Sequence, residues 1–352
     1  MKTISVAELS AIVERGDAVH EVSVAGADLS GINLSGAIYE TVSFNGCRMA
    51  GAALKECTFS HCDFAQADLT GVDCADSVFF ECTLDGTRFV DCHLNSVPFH
   101  KCTALGSDFS AADLRDAVFN ECDLSGAALG RARLDDVAFV GCATAGIDLR
   151  QAFLLRTTLL GADLTAALLD GLRCEQACLN QCRLGGAALA GLVAIRSQFM
   201  ECDLRAADLT GALLTQSGFK GAVLNDARLD GIRAVNSVFV EADLTGASCT
   251  DADLFQSLFV DAVAERVRFD GSNLEQAIFH RARCAEAGFD RARLTYTDFS
   301  YADLRAARFG ANHWLRTKFH SARLDGTSLP AGQSILYDDV ELAAAERWPT
   351  AV

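Results

Sequence analysis

The chain has 352 residues, half of them apolar, with a formal net charge of −17 and only three prolines. That charge argues against nonspecific binding to nucleic acid or to anionic membranes, both of which need a cationic face. The apolar half is enough for a large core, yet no stretch nears the roughly 18 uninterrupted apolar residues of a membrane span.

The first predicted element is a short amphipathic helix over Ser5 to Val13. Ser5 and Glu8 have the S-x-x-E spacing of a capping box. The segment carries Glu8 and Glu14 and has no continuous apolar core, so it does not read as a secretory signal peptide. A cytoplasmic location is expected, with export by a signal-independent secretion system left open. Val22 and Val24 alternate with Glu21 and Ser23 and predict a short strand leading inward. Residues 1–26 therefore read as an N-terminal cap.

From Leu29 onward nearly every fifth residue is large and apolar, Leu29, Leu34, Tyr39, Phe44, Met49, Leu54, Phe59, and so on to Leu329, with Ala104, Thr144, Ala194, Ala234 and Ala264 the small exceptions. Of these 61 positions, 49 are Leu or Phe, and they hold 19 of the chain's 22 Phe residues. Two residues earlier runs a series of small residues, Ala27, Ile32, Ala37, Val42, Cys47, Ala52. Between the two series sits a polar position, often Asp or Asn, as at Asp28, Asn33 and Asp63. A period of five fits neither a helix nor a plain strand. The chain must turn at every pentapeptide so that both series point inward, and four such turns close a square coil of four pentapeptides. Stacked coils should then make every fourth unit alike. The column Phe59, Phe79, Phe99, Phe119, Phe139, Leu159, Leu179, Phe199, Phe219, Phe239, Phe259, Phe279, Phe299, Phe319 meets that test. Composition bias at a period of five would not sort Phe into one column in four.

After the repeat, Asp338 to Trp348 predicts a second helix, starting at Asp338 or Asp339 and stopped by Pro349. Residues 332–352 read as a segment that either caps the open end or pairs with a second copy, since a solenoid end left bare is a liability.

The units AGADLSG (25–31), AQADLTG (65–71), LGADLTA (160–166), RAADLTG (205–211) and EADLTGA (241–247) resemble the pentapeptide repeat family, whose unit is written A(D/N)LXX. The resemblance covers residues 27–331. It implies an all-β solenoid, a right-handed quadrilateral parallel β-helix of about 15 coils, with short helical caps at both ends. It also implies a non-enzymatic protein that binds other proteins. Members of the family occur as secretion-associated accessory proteins, including in type VI clusters. Others are described as mimics of duplex DNA that occupy DNA gyrase and related topoisomerases. C-terminal dimerisation recurs among them.

Several features look like chemistry and read otherwise in this register. Ten of the 15 cysteines sit at the small inward position and four at the large one, leaving Cys178 to point out. Buried free thiols act as small hydrophobes, and a ladder of parallel thiols offers no converging metal shell. No metal, cofactor or catalytic residue is expected. His100, His280 and His320 share one outward column, with His280 and His320 about 10 Å apart by strand spacing. A convex solenoid with a filled core is expected to have no cleft.

Two surface features remain as candidates. The first is an apolar strip beside the Phe column: Val78, Phe80, Pro98, Val118, Val140, Leu160, Met200, Val238, Val240, Leu258, Val260 and Ile278. Exposed apolar patches mark interfaces, and β-branched residues also simply suit strands. The strip or the C-terminal helix could join two copies. The second is an acidic edge: Glu81, Glu121, Asp123, Asp163, Glu201, Asp203, Glu241, Asp243 and Asp261. Lys101, Arg183, Arg281 and Arg283 interrupt it. The expected partner is a protein, with no direct contact to nucleic acid or membrane. A non-enzymatic interaction scaffold is the favoured function, and a DNA-mimicking modulator of gyrase the alternative.

Overall fold

From Glu21 to Gly326, nearly every fifth residue has a positive φ, between 50° and 76°. Glycine fills many of these positions at no steric cost, and the rest are mostly Asp, Glu, Gln and Arg. Among these non-glycine residues only Thr41 is β-branched, as the crowding of a left-handed residue demands. Each such residue turns the chain. In the computed structural model the result is a parallel β-solenoid with two short helices among the described residues. The structure describes residues 1–327, 329, 335–337 and 339–346. The chain divides into two compact units, residues 1–183 and 184–352.

The unit 1–183 opens with β1 (Lys2–Thr3) and α1 (Val6–Glu14). The capping box forms: the Glu8 amide donates to Ser5 Oγ at 3.2 Å and the Ser5 amide to Glu8 Oε2 at 2.7 Å. Leu9 is fully buried beneath it. After β2 (Val19–His20), the predicted strand is β3 (Val22–Ser23), paired in parallel with β1. One face then carries β4 (Ile38–Glu40), β5 (Thr58–Ser60), β6 (Val78–Phe80), β7 (Pro98–His100), β8 (Val118–Asn120) and β9 (Ala138–Val140). Each strand pairs in parallel with its counterpart one coil on, as in Phe59↔Phe79 and Phe119↔Phe139. The adjoining turn of the coil adds β10 (Phe153–Leu155), then β11 (Thr158–Leu159) extends the first face, and β12 (Arg173–Glu175) pairs with β10.

Hydrogen bonding explains the unit A(D/N)LXX. Stacking satisfies most of each pentapeptide's amides: Leu29 N donates to Arg48 O and Arg48 N to Ala27 O, one coil apart. The turn takes another, Ala27 N to Val24 O. The amide just after the large residue is left over, and the Asp or Asn two residues before it accepts. Ser30 N donates to Asp28 Oδ1 at 3.1 Å, Thr70 N to Asp68 Oδ1 at 3.1 Å, and Ser110 N to Asp108 Oδ1 at 3.0 Å. An Asx turn of this kind is local and repeats without limit. On the face of β5 to β9 strand pairing serves that amide, so the Asp position there holds Thr58, Val78, Pro98, Val118 and Ala138.

The interior is a set of aromatic ladders. Phe79, Phe99, Phe119 and Phe139 stack with centroids 5.0, 4.6 and 5.1 Å apart. Phe89 and Phe109 form a second ladder at 4.8 Å and meet the first edge-on. Offset stacks and edge contacts are the favoured aromatic arrangements.

The unit 184–352 repeats this plan. β13 (Val193–Ile195) is its first strand, and Phe199, Phe219, Phe239, Phe259, Phe279, Phe299 and Phe319 stack at 4.5–5.3 Å. Near the end of the frame β14 (Thr317–Lys318) pairs with β15 (Ile335–Leu336) as Thr317↔Ile335, 18 residues apart where a coil elsewhere takes 20. The second helix, α2, spans Val340–Glu346, with the Leu342 amide donating to Asp339 Oδ1 at 3.0 Å. Its N-cap is thus the later of the two predicted starts; Asp338, Trp348 and Pro349 lie outside the described residues.

Candidate interaction face and C-terminal cleft

Strand alternation places two outward columns on the face of β4 to β9, on either side of the inward Phe ladder. Along it, Val118 is 39% exposed, Val140 46% and Leu160 49%, and Ile38, four coils before Val118, 53%. Val78, Phe80 and Pro98 are half-buried because neighbouring coils cover their flanks. Phe80 stacks on His100 at 5.2 Å and 15°, and Asn120 Nδ2 lies 3.1 Å from His100 Nδ1. The apolar surface of this unit is therefore continuous but narrow. In the other unit Met200, Val238, Val240, Leu258, Val260 and Ile278 are all half-buried.

The acidic edge is largely paired. Glu81 lies 3.3 Å from His61, Glu121 3.9 Å from Lys101, Asp163 3.1 Å from Arg183, Glu241 3.6 Å from Lys220 and Asp261 2.7 Å from Arg281. Asp203 holds Arg205, two residues along, at 2.5 Å. Asp123 and Asp243 accept from Ser125 and Thr245 in Asx turns, and Glu201 is exposed. The Thr165 hydroxyl and amide hold the Asp163 carboxyl below its ordinary value, and Arg281 does the same for Asp261.

Thirteen of the free cysteines are buried and two, Cys142 and Cys178, are half-buried. Cys142 keeps the inward donation of its ladder, to Phe119 O at 3.3 Å, and the thiols have a role that their spacing alone does not show. Small inward side chains that can donate commonly do so to the carbonyl at the central inward position one coil below. Cys47 Sγ donates to Val24 O at 3.1 Å and Cys92 Sγ to Leu69 O at 2.7 Å; Ser217 and Ser237 hydroxyls do the same to Ala194 O and Leu214 O. Burial pushes the Cys57 thiol up to about 11 and Cys92 to about 12. Among the described residues no group of three or more His, Cys, Asp or Glu side chains is arranged to hold a metal ion.

The expectation of no cleft is corrected. A cleft of about 510 Å³ lies in the unit 184–352, between its last coils and the segment of β15 and α2. Its solenoid wall carries His280, Asp298, Ser300, Tyr301, Lys318 and His320. His320, expected to point outward, is only 3% exposed because that segment covers it. The Asp339 amide donates to His320 Nδ1 at 3.0 Å, which places the ring proton on Nε2, 3.3 Å from Glu346 Oε2. The Tyr301 hydroxyl also donates to Glu346. Asp298 Oδ2 sits 3.1 Å from His280 Nε2 and 3.6 Å from Lys318 Nζ. The His280 contact is close enough for attraction but off the axis of a hydrogen bond, so Nε2 is buried without one. Burial raises the Asp298 carboxyl, but the Ser300 hydroxyl and amide and then His280 outweigh it and hold it below the usual range. The Ser300 hydroxyl donates to Asp298 Oδ1 at 2.6 Å and not to an imidazole. The sequence signal for this cluster is the placing of His280, Tyr301 and His320 in the last coils of the repeat. Its second wall comes from outside the repeat.

No helix among the described residues is long and apolar enough to cross a membrane. No curated protein matches the chain. Among solved structures, HetL is similar: a pentapeptide repeat protein involved in heterocyst differentiation regulation from the cyanobacterium Nostoc sp. strain PCC 7120. It is 18% identical over 83% of this chain and 98% of its own, with a TM-score of 0.24. QnrB1, a plasmid-mediated fluoroquinolone resistance protein, is 17% identical over 61% of this chain and 94% of its own, at 0.33. A pentapeptide repeat protein of the Arabidopsis thaliana thylakoid lumen is 27% identical over 35% of this chain and 72% of its own, at 0.22. One family model, described as a pentapeptide repeat region, matches residues 52–129. A second, described as pentapeptide repeats in eight copies, matches residues 25–60, 177–216, 197–233, 222–259 and 279–310. With the five-residue register, the Asx-capped turns and these matches together, the chain belongs to the pentapeptide repeat family.

Proposed function

We propose that this protein is a non-enzymatic scaffold that docks another protein along the strand face of residues 1–183. The observation that carries the reading is the run of outward apolar side chains at Val118, Val140 and Leu160, each more than a third exposed on a flat, rigid face. A surface of this kind marks an interface, and a filled solenoid presents it without ordering cost. Strand pairing removes the need for Asp at one outward column of that face; it does not demand valine and leucine in the other. A secretion-associated role of the type VI kind fits a scaffold as one setting among several.

The gyrase-directed reading is less favoured. A DNA mimic needs unneutralised carboxylates, and at Glu81, Glu121, Asp163, Asp203, Glu241 and Asp261 a basic side chain stands within 4 Å. Affinity capture with the wild type and with Val118→Asp/Val140→Asp/Leu160→Asp tests the proposal. A partner held by the first and released by the second is expected. A partner retained equally by both would remove this face from the account.

A further inference from the structure

We propose that the same face pairs with a second copy of this chain, the two running antiparallel about a two-fold axis between the coil of Glu81 and the coil of Lys101. The proposal rests on the docking face above and names an occupant for its central coils.

Outward columns on this face repeat once per coil, in register. A two-fold axis along the strands therefore keeps each column opposite itself and reverses the order of coils. At the corner after the strands the column reads His61, Glu81, Lys101, Glu121, and all four are exposed. Within one chain the signs alternate and neighbours attract, His61 to Glu81 at 3.3 Å and Lys101 to Glu121 at 3.9 Å. Reversal places Glu81 opposite Lys101 of the second copy and His61 opposite its Glu121, and the symmetry makes each contact twice. The Glu81–Lys101 pairs then have opposite sign, and each His61 imidazole faces a carboxylate. A slip that moves the axis onto the coil of Glu81 sets Glu81 against Glu81, like against like. Of the axes between coils this one engages all four positions, whereas an axis between the coils of Lys101 and Glu121 pairs those two but leaves Glu81 opposite Gly141.

The same operation sets Phe80 against His100 and Val78 against Pro98 at the centre. The Phe80–His100 stack of one copy meets that of the other, giving an aromatic and apolar middle beside a charged edge. The match ends one coil further out, where Glu40 would face Val140. At the opposite corner Glu56 would face Asp116, with Lys55 and Arg115 beside them, so that edge adds no attraction. Four matched coils span only about 20 Å. This is well below the footprint of a standard interface, about 800 Å² per partner, and predicts a pair that dissociates on dilution. Val140 and Leu160 lie beyond the matched coils, so a different protein seated on them competes with the pair.

Sedimentation equilibrium from about 10 to about 500 µM tests the pairing over the range expected of a small interface. The wild-type mass should climb toward twice that of one chain. Glu81→Lys and Lys101→Glu should each raise the dimer Kd about tenfold, because each creates two like-charge contacts. The double variant Glu81→Lys/Lys101→Glu should restore the wild-type Kd. Both positions are exposed, and thermal melts confirm that each variant folds. A mass of one chain at every concentration overturns the proposal, as does a dimer indifferent to either single change or a double variant that fails to recover. Any of these would leave docking through Val140 and Leu160 standing, since cross-linking from those positions reads it separately.

Discussion

The Phe99 ring lies 4.6 Å from the Phe119 ring with their planes 3° apart, one coil above the other. Both rings are almost wholly buried. Phe99→Ala should therefore cost about 3–5 kcal/mol, the range for deleting a buried aromatic side chain. Phe99→Leu, which keeps most of the volume, should cost under about 1.5 kcal/mol. Thermal or chemical denaturation of both variants checks the ranking.

Burial decides thiol chemistry here. An aqueous thiol reagent applied to the folded protein should react first at Cys142 and Cys178, the two half-buried cysteines, and at the other thirteen only on unfolding. Peptide mapping of the labelled protein gives the answer directly. Cys92→Val should cost about 1 kcal/mol by removing the donation to Leu69 O, whereas Cys92→Ser should be close to neutral.

Ala206 has φ of 54° and is exposed, so its substitution tests the turn without touching the core. Ala206→Gly should stabilise by about 1 kcal/mol and Ala206→Val should destabilise by about 1–2 kcal/mol, from the left-handed backbone alone. Denaturation midpoints of the two variants should move in opposite directions.

Acid should weaken the solenoid. Hydrogen bonds from Arg115 hold Asp113 below its ordinary 3.8, and Arg150 and Arg305 do the same for Asp148 and Asp303. A carboxyl with a depressed folded value contributes stability that is fully present above the unfolded value and lost as pH falls through the folded one. The melting temperature should thus be flat from neutral pH down to about 5 and fall below about 4. A melting temperature unchanged at pH 3 would contradict this.

Much of this was legible in the residues. Stepping by five from Leu29 located the interior, and the recurrence of Phe at every fourth unit located the coil. The Asp before each Leu announced a turn, although which amide it serves emerges only from the stacked backbone. The left-handed residue was also written in the sequence, as Gly26, Gly31, Gly36 and Gly46 at one fixed place in the repeat. The donation of thiols and hydroxyls to carbonyls one coil away was not visible, because small inward residues look alike whether or not they donate. The cleft could not be read at all. Its second wall, Ile335 to Leu342, lies beyond the periodic frame, and burial of His320 depends on where that wall folds.

The claim with most at stake is that the strand face of residues 1–183 is where this protein meets a partner. A photo-activated cross-linker placed at Val140 and at Leu160, with Thr70 and Ser110 on the opposite side of the coil as controls, tests it in cells. Adducts of one defined protein from the first two positions, with none from the controls, are predicted. Equal labelling from both sides, or labelling from neither, would contradict the account.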